Sequence, residues 1–209
     1  MTRVALFGGS FNPPHVAHQL VALYVLETQP VDEVWFTPVY AHVFGKELAP
    51  FADRVRMCEL ATEPLGNRAR VCLAEEDLAQ RPGFAGSRTL DLVEHLVATH
   101  PTSSFRLVVG TDILGETAKW HRWDDVTAAA PLIVIGRTGH EVPAGTTVTG
   151  VTMPEISSTA IRAALAALSP DLRAALRAGE VPADAQQLAS LLPGAVLRYI
   201  AERDLYLGS

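Results

Sequence analysis

Two histidines near the start of the sequence stand at a spacing that suits the binding of a phosphate group. His15 and His18 close the segment Gly8-Gly9-Ser10-Phe11-Asn12-Pro13-Pro14-His15-Val16-Ala17-His18. Residues three apart share one face of a helix, and the preceding glycines let backbone N–H groups approach an anion at the N-terminus of that helix. The glycines, the helix start and the two imidazoles together predict a site for the phosphates of a nucleotide.

Two further clusters carry groups that suit a nucleotide. The segment Ile156-Ser157-Ser158-Thr159-Ala160-Ile161-Arg162 places three hydroxyls and a cation at a predicted helix start, where an N-cap explains only one hydroxyl. Gly110-Thr111-Asp112 ends a predicted strand and is followed by Trp120 and Trp123. A carboxylate there can accept hydrogen bonds from a ribose, and an indole offers a flat face to an aromatic ring. We expect Trp120 to face the ligand and Trp123 to lie in the core.

These segments resemble the motifs of a known family. The first resembles the T/H-x-G-H signature of the nucleotidylyltransferase superfamily, with Asn12 in place of the usual Asp and Ala17 in place of the usual Gly. The second resembles the I-S-x-T-x-I-R signature of nicotinate or nicotinamide mononucleotide adenylyltransferases. The resemblance implies that the ATP phosphates are held by Gly8, Gly9, Ser10, Phe11, Ser157, Ser158, Thr159 and Arg162. It also implies that the mononucleotide contacts Gly110 and Asp112 and stacks on Trp120.

Three shorter segments resemble further motifs of the same family. Residues 39–46 and 54–57 resemble its P-P-H-K and R-x-x-M motifs, which implies phosphate ligands at His42, Lys46 and Arg54. Ser87-Arg88-Thr89 resembles its S-Y-T motif, which implies that Thr89 contacts the mononucleotide. Nicotinate differs from nicotinamide by one charge, so an arginine such as Arg88 or Arg137 could decide between them. The sequence leaves that choice open.

The resemblance implies an adenylyltransferase of NAD biosynthesis, which joins ATP to a pyridine mononucleotide and releases pyrophosphate. The attacking 5′-phosphate is already an anion, so the reaction requires no general base. We expect His15, His18, Arg162 and Lys46, with Mg²⁺ bound to ATP, to position the phosphates and neutralise their charge. The alternatives are a sister enzyme, such as a pantetheine-phosphate adenylyltransferase or a cytidylyltransferase, and a nucleotide sensor without turnover.

Apolar runs alternate with helical patterns along most of the chain. Strands are predicted at residues 4–7, 34–37, 70–73, 105–109 and 132–135. Helices are predicted at residues 16–27, 53–62 and 89–98, the first from the helical spacing of Leu20, Leu23 and Tyr24. This alternation predicts the α/β class, with a doubly wound, Rossmann-like parallel sheet.

The last fifty residues have a different composition. They are rich in alanine, leucine and arginine, and they predict a C-terminal helical extension that is interrupted near Pro170, Gly179 and Pro193. We therefore expect a single domain over residues 1–209, with an α/β core at 1–160 and a helical part at 161–209. The sequence gives no functional account of residues 163–192.

Composition limits the partners that the protein can have. A net charge of −6 argues against a nucleic-acid partner and against an anionic membrane surface. The chain carries neither a signal segment nor a run of about 18 apolar residues, so we expect a cytoplasmic protein. Cys58 and Cys72 are expected in a core helix and a core strand, and no residue spacing indicates a resident metal site. The sequence leaves a homo-oligomer open.

Overall fold

The computed structural model describes residues 1–41, 45, 47–137 and 148–206, and in these ranges it contains one sheet of six parallel strands. The spatial order is β3-β2-β1-β4-β5-β6. The strands are β1 (Thr2–Gly9), β2 (Glu33–Pro38), β3 (Ala69–Val71), β4 (Ser103–Gly110), β5 (Leu132–Arg137) and β6 (Val148–Met153). This is the doubly wound α/β architecture that the sequence predicts, and all five predicted strands are present. The sequence did not predict β6.

Ten helices lie between and after the strands in the described ranges. They are α1 (Val16–Thr28), α2 (Phe51–Thr62), α3 (Ala74–Ala79), α4 (Thr89–Thr99), α5 (Thr111–Leu114), α6 (Trp123–Ala129), α7 (Ser158–Ala166), α8 (Pro170–Arg177), α9 (Gln186–Ala189) and α10 (Gly194–Glu202). Short 3-10 turns cover Glu63–Arg68, Thr117–Lys119 and Ala183–Ala185. The three predicted helices correspond to α1, α2 and α4.

The central strands are buried on both faces of the sheet. In β1 the run Val4–Phe7 is buried without interruption, as expected for a parallel strand that is covered by helices on both sides. Leu6 lies opposite Trp35 of β2 and Leu107 of β4, so apolar side chains continue across the sheet. Two apolar cores result, one with α3, α4 and α6 and the other with α1 and α2.

The buried face of α1 differs from the face that the sequence indicates. Leu20 and Leu23 are 39% and 45% exposed, and the helix instead packs through small and branched residues. Those residues are Ala17, Val21, Ala22, Val25 and Leu26. Apolar residues occur around nearly the whole circumference of α1, so helical spacing alone could not select the packed face. The smaller side chains let the helix lie close to the sheet.

The C-terminal helices form a third core on α2. Two of the three predicted interruptions correspond to helix starts, since α8 begins at Pro170 and α10 at Gly194, and the third, near Gly179, follows the end of α8 at Arg177. Leu165, Leu176 and Leu192 from the alanine-rich segment pack with Met57 of α2 and Ile200 of α10. Residues 163–192 therefore take part in packing. The division of the chain at residue 160 stays a prediction.

The two cysteines differ in burial. Cys58 is buried in α2 as predicted, whereas Cys72 follows β3, which ends at Val71, and is only half-buried. The prediction of Cys72 within a strand was wrong because β3 is an edge strand of three residues. Within the described ranges, no helix has both the length and the apolar character needed to span a bilayer.

Truncation of Ile200 tests the third core. Ile200 is fully buried, so Ile200→Ala should lower the free energy of unfolding by about 2–5 kcal/mol in urea titrations, through lost contacts and a cavity. Leu20→Ala, on the exposed face of α1, should change it by less than about 0.5 kcal/mol. Equal effects of the two substitutions would contradict this packing.

Candidate active site

Several of the predicted site residues lie at the carboxyl end of the sheet, where β1 and β4 lie side by side. β1 runs into Gly8 and Gly9 and then α1, while β4 runs into Gly110 and then α5. The order of the strands reverses at this point, because β2 and β3 extend the sheet on one side and β5 and β6 on the other. Such a reversal opens a crevice in which doubly wound proteins bind their ligands.

Gly110 lies so close to two charged side chains that its position has little room for a side chain. A Cβ atom at Gly110 would lie 2.2 Å from Asp112 Oδ1 and 2.8 Å from Arg137 Nε. A side chain at this position would therefore displace both charged groups from the end of β4. Gly9 is less restricted, since its Cβ would meet the Phe11 ring at 3.3 Å.

Phe11 shapes the turn between β1 and α1. Its backbone lies in the left-handed region at φ 44°, and its ring is almost fully buried between Phe7 and His18. The ring centroids are 5.7 Å and 5.0 Å from those two residues. The side chain of Phe11 thus belongs to the core, and only its backbone remains for the phosphate contact that the sequence predicts.

The two histidines are stacked, and one of them has a fixed tautomer. Their ring centroids lie 3.7 Å apart with planes inclined by 30°. The backbone N–H of His15 donates to Nδ1 of His18 over 3.0 Å, so His18 must carry its proton on Nε2. His15 Nδ1 is buried and has no hydrogen-bond partner among the residues that the structure describes.

The same arrangement keeps both imidazoles neutral. Burial, and then the positive charge of Arg137, lower the pKa of His15 to about 4. Burial lowers the pKa of His18 well below its usual value, with further contributions from His15 and Arg137. The sequence predicts that these two groups neutralise phosphate charge, and that role stays a prediction. In the free protein both rings are uncharged, and His18 carries a donor at Nε2.

Asp112 and Arg137 stand together beside the histidines. Arg137 Nε lies 3.4 Å from Asp112 Oδ1, and the Arg137 backbone N–H donates to the Thr111 hydroxyl over 2.9 Å. Both charged side chains are about one-third exposed, so they remain open to the crevice. The structure thus brings Gly110, Asp112 and Arg137, all predicted for the mononucleotide, to one place.

The serine-rich motif at the start of α7 is hydrogen-bonded to the turn after β1. Ser158 donates from its hydroxyl to the Pro13 carbonyl over 3.0 Å, and Arg162 donates from Nη1 to the Asn12 carbonyl over 2.8 Å. Ser157 caps α7 through the Ala160 N–H. The two predicted ATP motifs, about 145 residues apart in the chain, therefore form one surface.

The Thr159 hydroxyl lies beside the Arg162 guanidinium. Arg162 Nη2 donates to it over 3.3 Å. Thr159 therefore lies on the same side of the helix start as the arginine that the sequence assigns to the phosphates.

Arg54 has a structural environment that the sequence did not predict. Its guanidinium is only 1% exposed and donates to four backbone carbonyls. The acceptors are Ala49 at 2.9 Å, Ser10 at 3.0 Å, Val39 at 2.8 Å and Tyr40 at 3.2 Å. At most one of its five N–H groups remains for a phosphate. The spacing of residues in the sequence places this cation on a helix. It does not show which backbone carbonyls surround the cation in the fold.

Three of the remaining predicted residues are half-buried. Trp120 and Trp123 are both half-buried and meet edge to face, with centroids 5.2 Å apart, beside the first core. Thr89 is the first residue of α4 and is half-buried. His42 and Lys46 lie outside the described residues.

One contact that sequence reasoning missed reaches the signature turn from the end of the chain. The Tyr206 hydroxyl donates to Asn12 Oδ1 over 2.7 Å, and the same oxygen accepts the Ala49 N–H over 3.0 Å. Leu205-Tyr206 resembles the usual ending of the family, but no local pattern pairs it with Asn12.

Comparisons with known proteins agree with this geometry. The family model described as cytidylyltransferase-like matches residues 6–164. A protein of Anaeromyxobacter dehalogenans (strain 2CP-1 / ATCC BAA-258), named "Probable nicotinate-nucleotide adenylyltransferase", is 48% identical over 98% of this chain and 97% of its own length. A protein of the same name from Myxococcus xanthus is 38% identical over 98% and 94% of the two chains.

A solved structure shares the fold. The Plasmodium falciparum nicotinic acid mononucleotide adenylyltransferase complexed with NaAD superimposes with a TM-score of 0.72 over 99% of this chain and 98% of that one, at 17% identity. The sheet and the joined phosphate motifs thus define a nucleotidyltransferase of the cytidylyltransferase-like class. Within that class, the chain belongs to the nicotinate-nucleotide adenylyltransferase family.

The neutrality of the histidines can be measured by NMR titration of the imidazole nitrogens in the free protein. His15 should titrate with a midpoint of about pH 4 and His18 below its usual range. Because the folded state then binds fewer protons than the unfolded state, these two groups should lower stability as the pH falls from about 6.5 towards 4. Midpoints near 6.5 for both would contradict the stacked, neutral pair.

Arg54→Lys tests whether the guanidinium organises backbone carbonyls. The substitution keeps the charge but loses the planar fork, so buried carbonyls lose their donors and the free energy of unfolding should fall by about 2 kcal/mol or more. Arg56→Lys is the matched control, since Arg56 is exposed and pairs with Glu59 on the surface of the same helix, and it should change stability by less than about 0.5 kcal/mol. An Arg54→Lys protein as stable as the control would refute the assignment.

Proposed function

We propose that this protein transfers the adenylyl group of ATP to the 5′-phosphate of nicotinate mononucleotide, giving the dinucleotide and pyrophosphate. The observation that carries the proposal is the joining of two phosphate-binding motifs at the sheet crevice, through Arg162 and the Asn12 carbonyl. The relatives named nicotinate-nucleotide adenylyltransferase, which match nearly the whole chain, support the same reaction.

Catalysis of this reaction depends on the positioning of the reacting phosphates more than on proton transfer. An oxygen of the mononucleotide phosphate attacks the α-phosphorus of ATP in line with the bond to the β-phosphate. A new P–O bond forms as the α–β bridging bond breaks, and the electron pair of the broken bond leaves with pyrophosphate. His18 can donate from Nε2 to a phosphate oxygen, and Arg162 and Arg137 supply positive charge. Fixed donors of this kind stabilise charge that spreads in the transition state.

Neutral histidines are suited to this reaction. An uncharged imidazole N–H can bind a phosphate oxygen without first losing the hydration shell of a cation. The proton also stays on the ring throughout, since the nucleophile and the leaving group are both anions. We therefore assign His18 the role of a hydrogen-bond donor rather than that of a general acid.

We propose that Mg²⁺ enters with ATP as part of the substrate. Across residues 1–41, 45, 47–137 and 148–206, no group of three or more His, Cys, Asp and Glu side chains could hold a metal ion. The phosphate oxygens of ATP are themselves the hard ligands that Mg²⁺ prefers. The metal would neutralise the leaving pyrophosphate, while the protein binds the remaining phosphate charge.

We further propose that the nicotinate form is preferred over the nicotinamide form. The names of the relatives support this choice. Arg137 faces Asp112 beside the crevice, and Arg88 is exposed immediately before α4. Either guanidinium would favour a ligand that carries one additional negative charge. The cytoplasmic location, the absence of a nucleic-acid partner and any homo-oligomer stay predictions.

Pyrophosphate release tests the proposed function. With ATP and Mg²⁺, the wild-type protein should turn over nicotinate mononucleotide faster than nicotinamide mononucleotide, and should not use phosphopantetheine or CTP. His18→Ala should lower the rate by about 100-fold or more, through loss of a fixed donor. His100→Ala should remain active, because His100 precedes the amino end of β4, at the opposite end of the strands from the crevice.

Other results of the pyrophosphate-release assay would identify one of the alternative functions. Turnover of phosphopantetheine, or of CTP, would identify a sister transferase. Binding of ATP without pyrophosphate release at high protein concentration would indicate a nucleotide sensor. Either result would overturn the proposed function.

A further inference from the structure

Tyr206 lies shortly beyond the end of α10 at Glu202, and its side chain reaches the turn after β1. Its hydroxyl donates to Asn12 Oδ1 over 2.7 Å, although the two residues are 194 positions apart in the chain. Asn12 is only 2% exposed, so its amide oxygen depends on donors from the protein. The reaction described above uses neither the Tyr206 hydroxyl nor the Asn12 side chain.

The donors around Asn12 Oδ1 fix the orientation of the amide. The Ala49 N–H, which can only donate, reaches the same oxygen over 3.0 Å. The Tyr206 hydroxyl must therefore donate as well, and Asn12 Nδ2 faces the Glu47 carbonyl at 3.4 Å. Burial raises the pKa of the Tyr206 hydroxyl above its usual value, so this group remains protonated. The Asn12 oxygen thus holds two donors from two distant parts of the chain.

Asn12 belongs to a closed set of hydrogen bonds that begins and ends in the turn after β1. Its side chain accepts the Ala49 N–H. The Ala49 carbonyl accepts Arg54 Nε over 2.9 Å, and Arg54 Nη1 donates to the Ser10 carbonyl over 3.0 Å. The main-chain carbonyl of Asn12 also accepts Arg162 Nη1 over 2.8 Å. A change in the position of Asn12 would therefore shift the turn relative to Arg162.

The backbone that carries Tyr206 adopts an uncommon conformation. Asp204 and Tyr206 have φ angles of 54° and 60°, in the left-handed region that residues other than glycine seldom adopt. Such a conformation persists where surrounding contacts fix it. Here the Leu205 N–H donates back into α10 over 3.0 Å, and Arg177 forms an ion pair with Asp204. The chain thus directs the tyrosine towards Asn12 at a conformational cost, which accords with a fixed role for the side chain.

We propose that Tyr206 is a positioning residue for the adenylyl transfer, which holds the Asn12 side chain so that the turn after β1 and Arg162 keep their places at the crevice. This inference rests on the proposed function. A second contact from the helical part of the chain reaches the start of α1, where the Val16 N–H donates to the Leu191 carbonyl over 3.0 Å. The helical part thus supports the site as well as the third core.

Tyr199 provides a matched control within the same helical part. Its hydroxyl donates to Asp53 Oδ1 over 2.7 Å, so it makes a hydrogen bond of the same length to another polar side chain. Asp53 lies in the first turn of α2 rather than in the turn after β1. Loss of either hydroxyl should lower the melting temperature by about 2–4 °C, because one buried hydrogen bond is removed. Only the loss at Tyr206 should affect the reaction.

The experiment compares Tyr206→Phe with Tyr199→Phe in the full-length protein. Tyr206→Phe should lower kcat and kcat/KM for ATP together by about tenfold, because the groups that act in the transition state are less well placed. Tyr199→Phe should keep kcat within twofold of the wild type despite a similar loss of melting temperature. Equal losses of kcat in the two variants would show that destabilisation alone is responsible, and would overturn the inference.

The same substitution in two Asn12 backgrounds tests whether Tyr206 acts through Asn12. Asn12→Asp keeps an acceptor oxygen for both donors, so Tyr206→Phe should still lower kcat about tenfold in that background. Asn12→Leu removes the acceptor, so Tyr206→Phe should change kcat less than twofold there. A loss of equal size in both backgrounds would contradict the proposed route.

Amide hydrogen exchange at Ala49 provides a measurement that depends neither on turnover nor on the Asn12 variants. Tyr206→Phe should increase this exchange about fivefold or more, because the Asn12 oxygen that accepts the Ala49 N–H is less firmly held, whereas Tyr199→Phe should leave it within twofold. Unchanged exchange, a kcat within twofold of the wild type, or a rise in KM alone would each overturn the inference. An inactive wild-type protein would instead refute the proposed function, and exchange would still decide whether Tyr206 holds Asn12.

Discussion

The structure depends on how the backbone carbonyls of the turn after β1 are held. Ser10, Asn12 and Pro13 each direct a carbonyl oxygen to a side chain from another part of the chain, namely Arg54, Arg162 and Ser158. Carbonyl oxygens repel phosphate, so donors that occupy them help to leave the turn suitable for an anion. The same bonds bring α2 and α7 against the turn, which explains why residues far apart in the sequence form one site.

Local electrostatics accounts for anion binding by a protein with a net charge of −6. The stacked histidines are neutral, and among the described residues Arg137 and Arg162 supply positive charge at the crevice. Arg137 is balanced by Asp112 in the free protein, so the site does not present a broad basic surface. Such a site favours small phosphorylated ligands that fit the crevice over long polyanions, which need an extended field.

The sequence predicted the structure best where a chemical motif lies between a strand and the helix that follows it. A short apolar strand, two glycines and a histidine pair allow only a few arrangements, and the predicted strand–turn–helix unit is present. Strand β6 was missed because Val148–Met153 contains a glycine and only Met153 is buried, so it lacks a continuous apolar run. The roles of Arg54 and Tyr206 could not be predicted, because each depends on carbonyls or amides that only the folded chain brings near.

A crystal structure of the protein with nicotinate mononucleotide and a non-hydrolysable ATP analogue tests the central claim most directly. We predict that the triphosphate lies on the turn after β1, within hydrogen-bond distance of His18 Nε2 and close to Arg162, while Arg54 keeps its four carbonyl partners. A triphosphate bound elsewhere, or an Arg54 side chain that has left the carbonyls to contact it, would contradict the account.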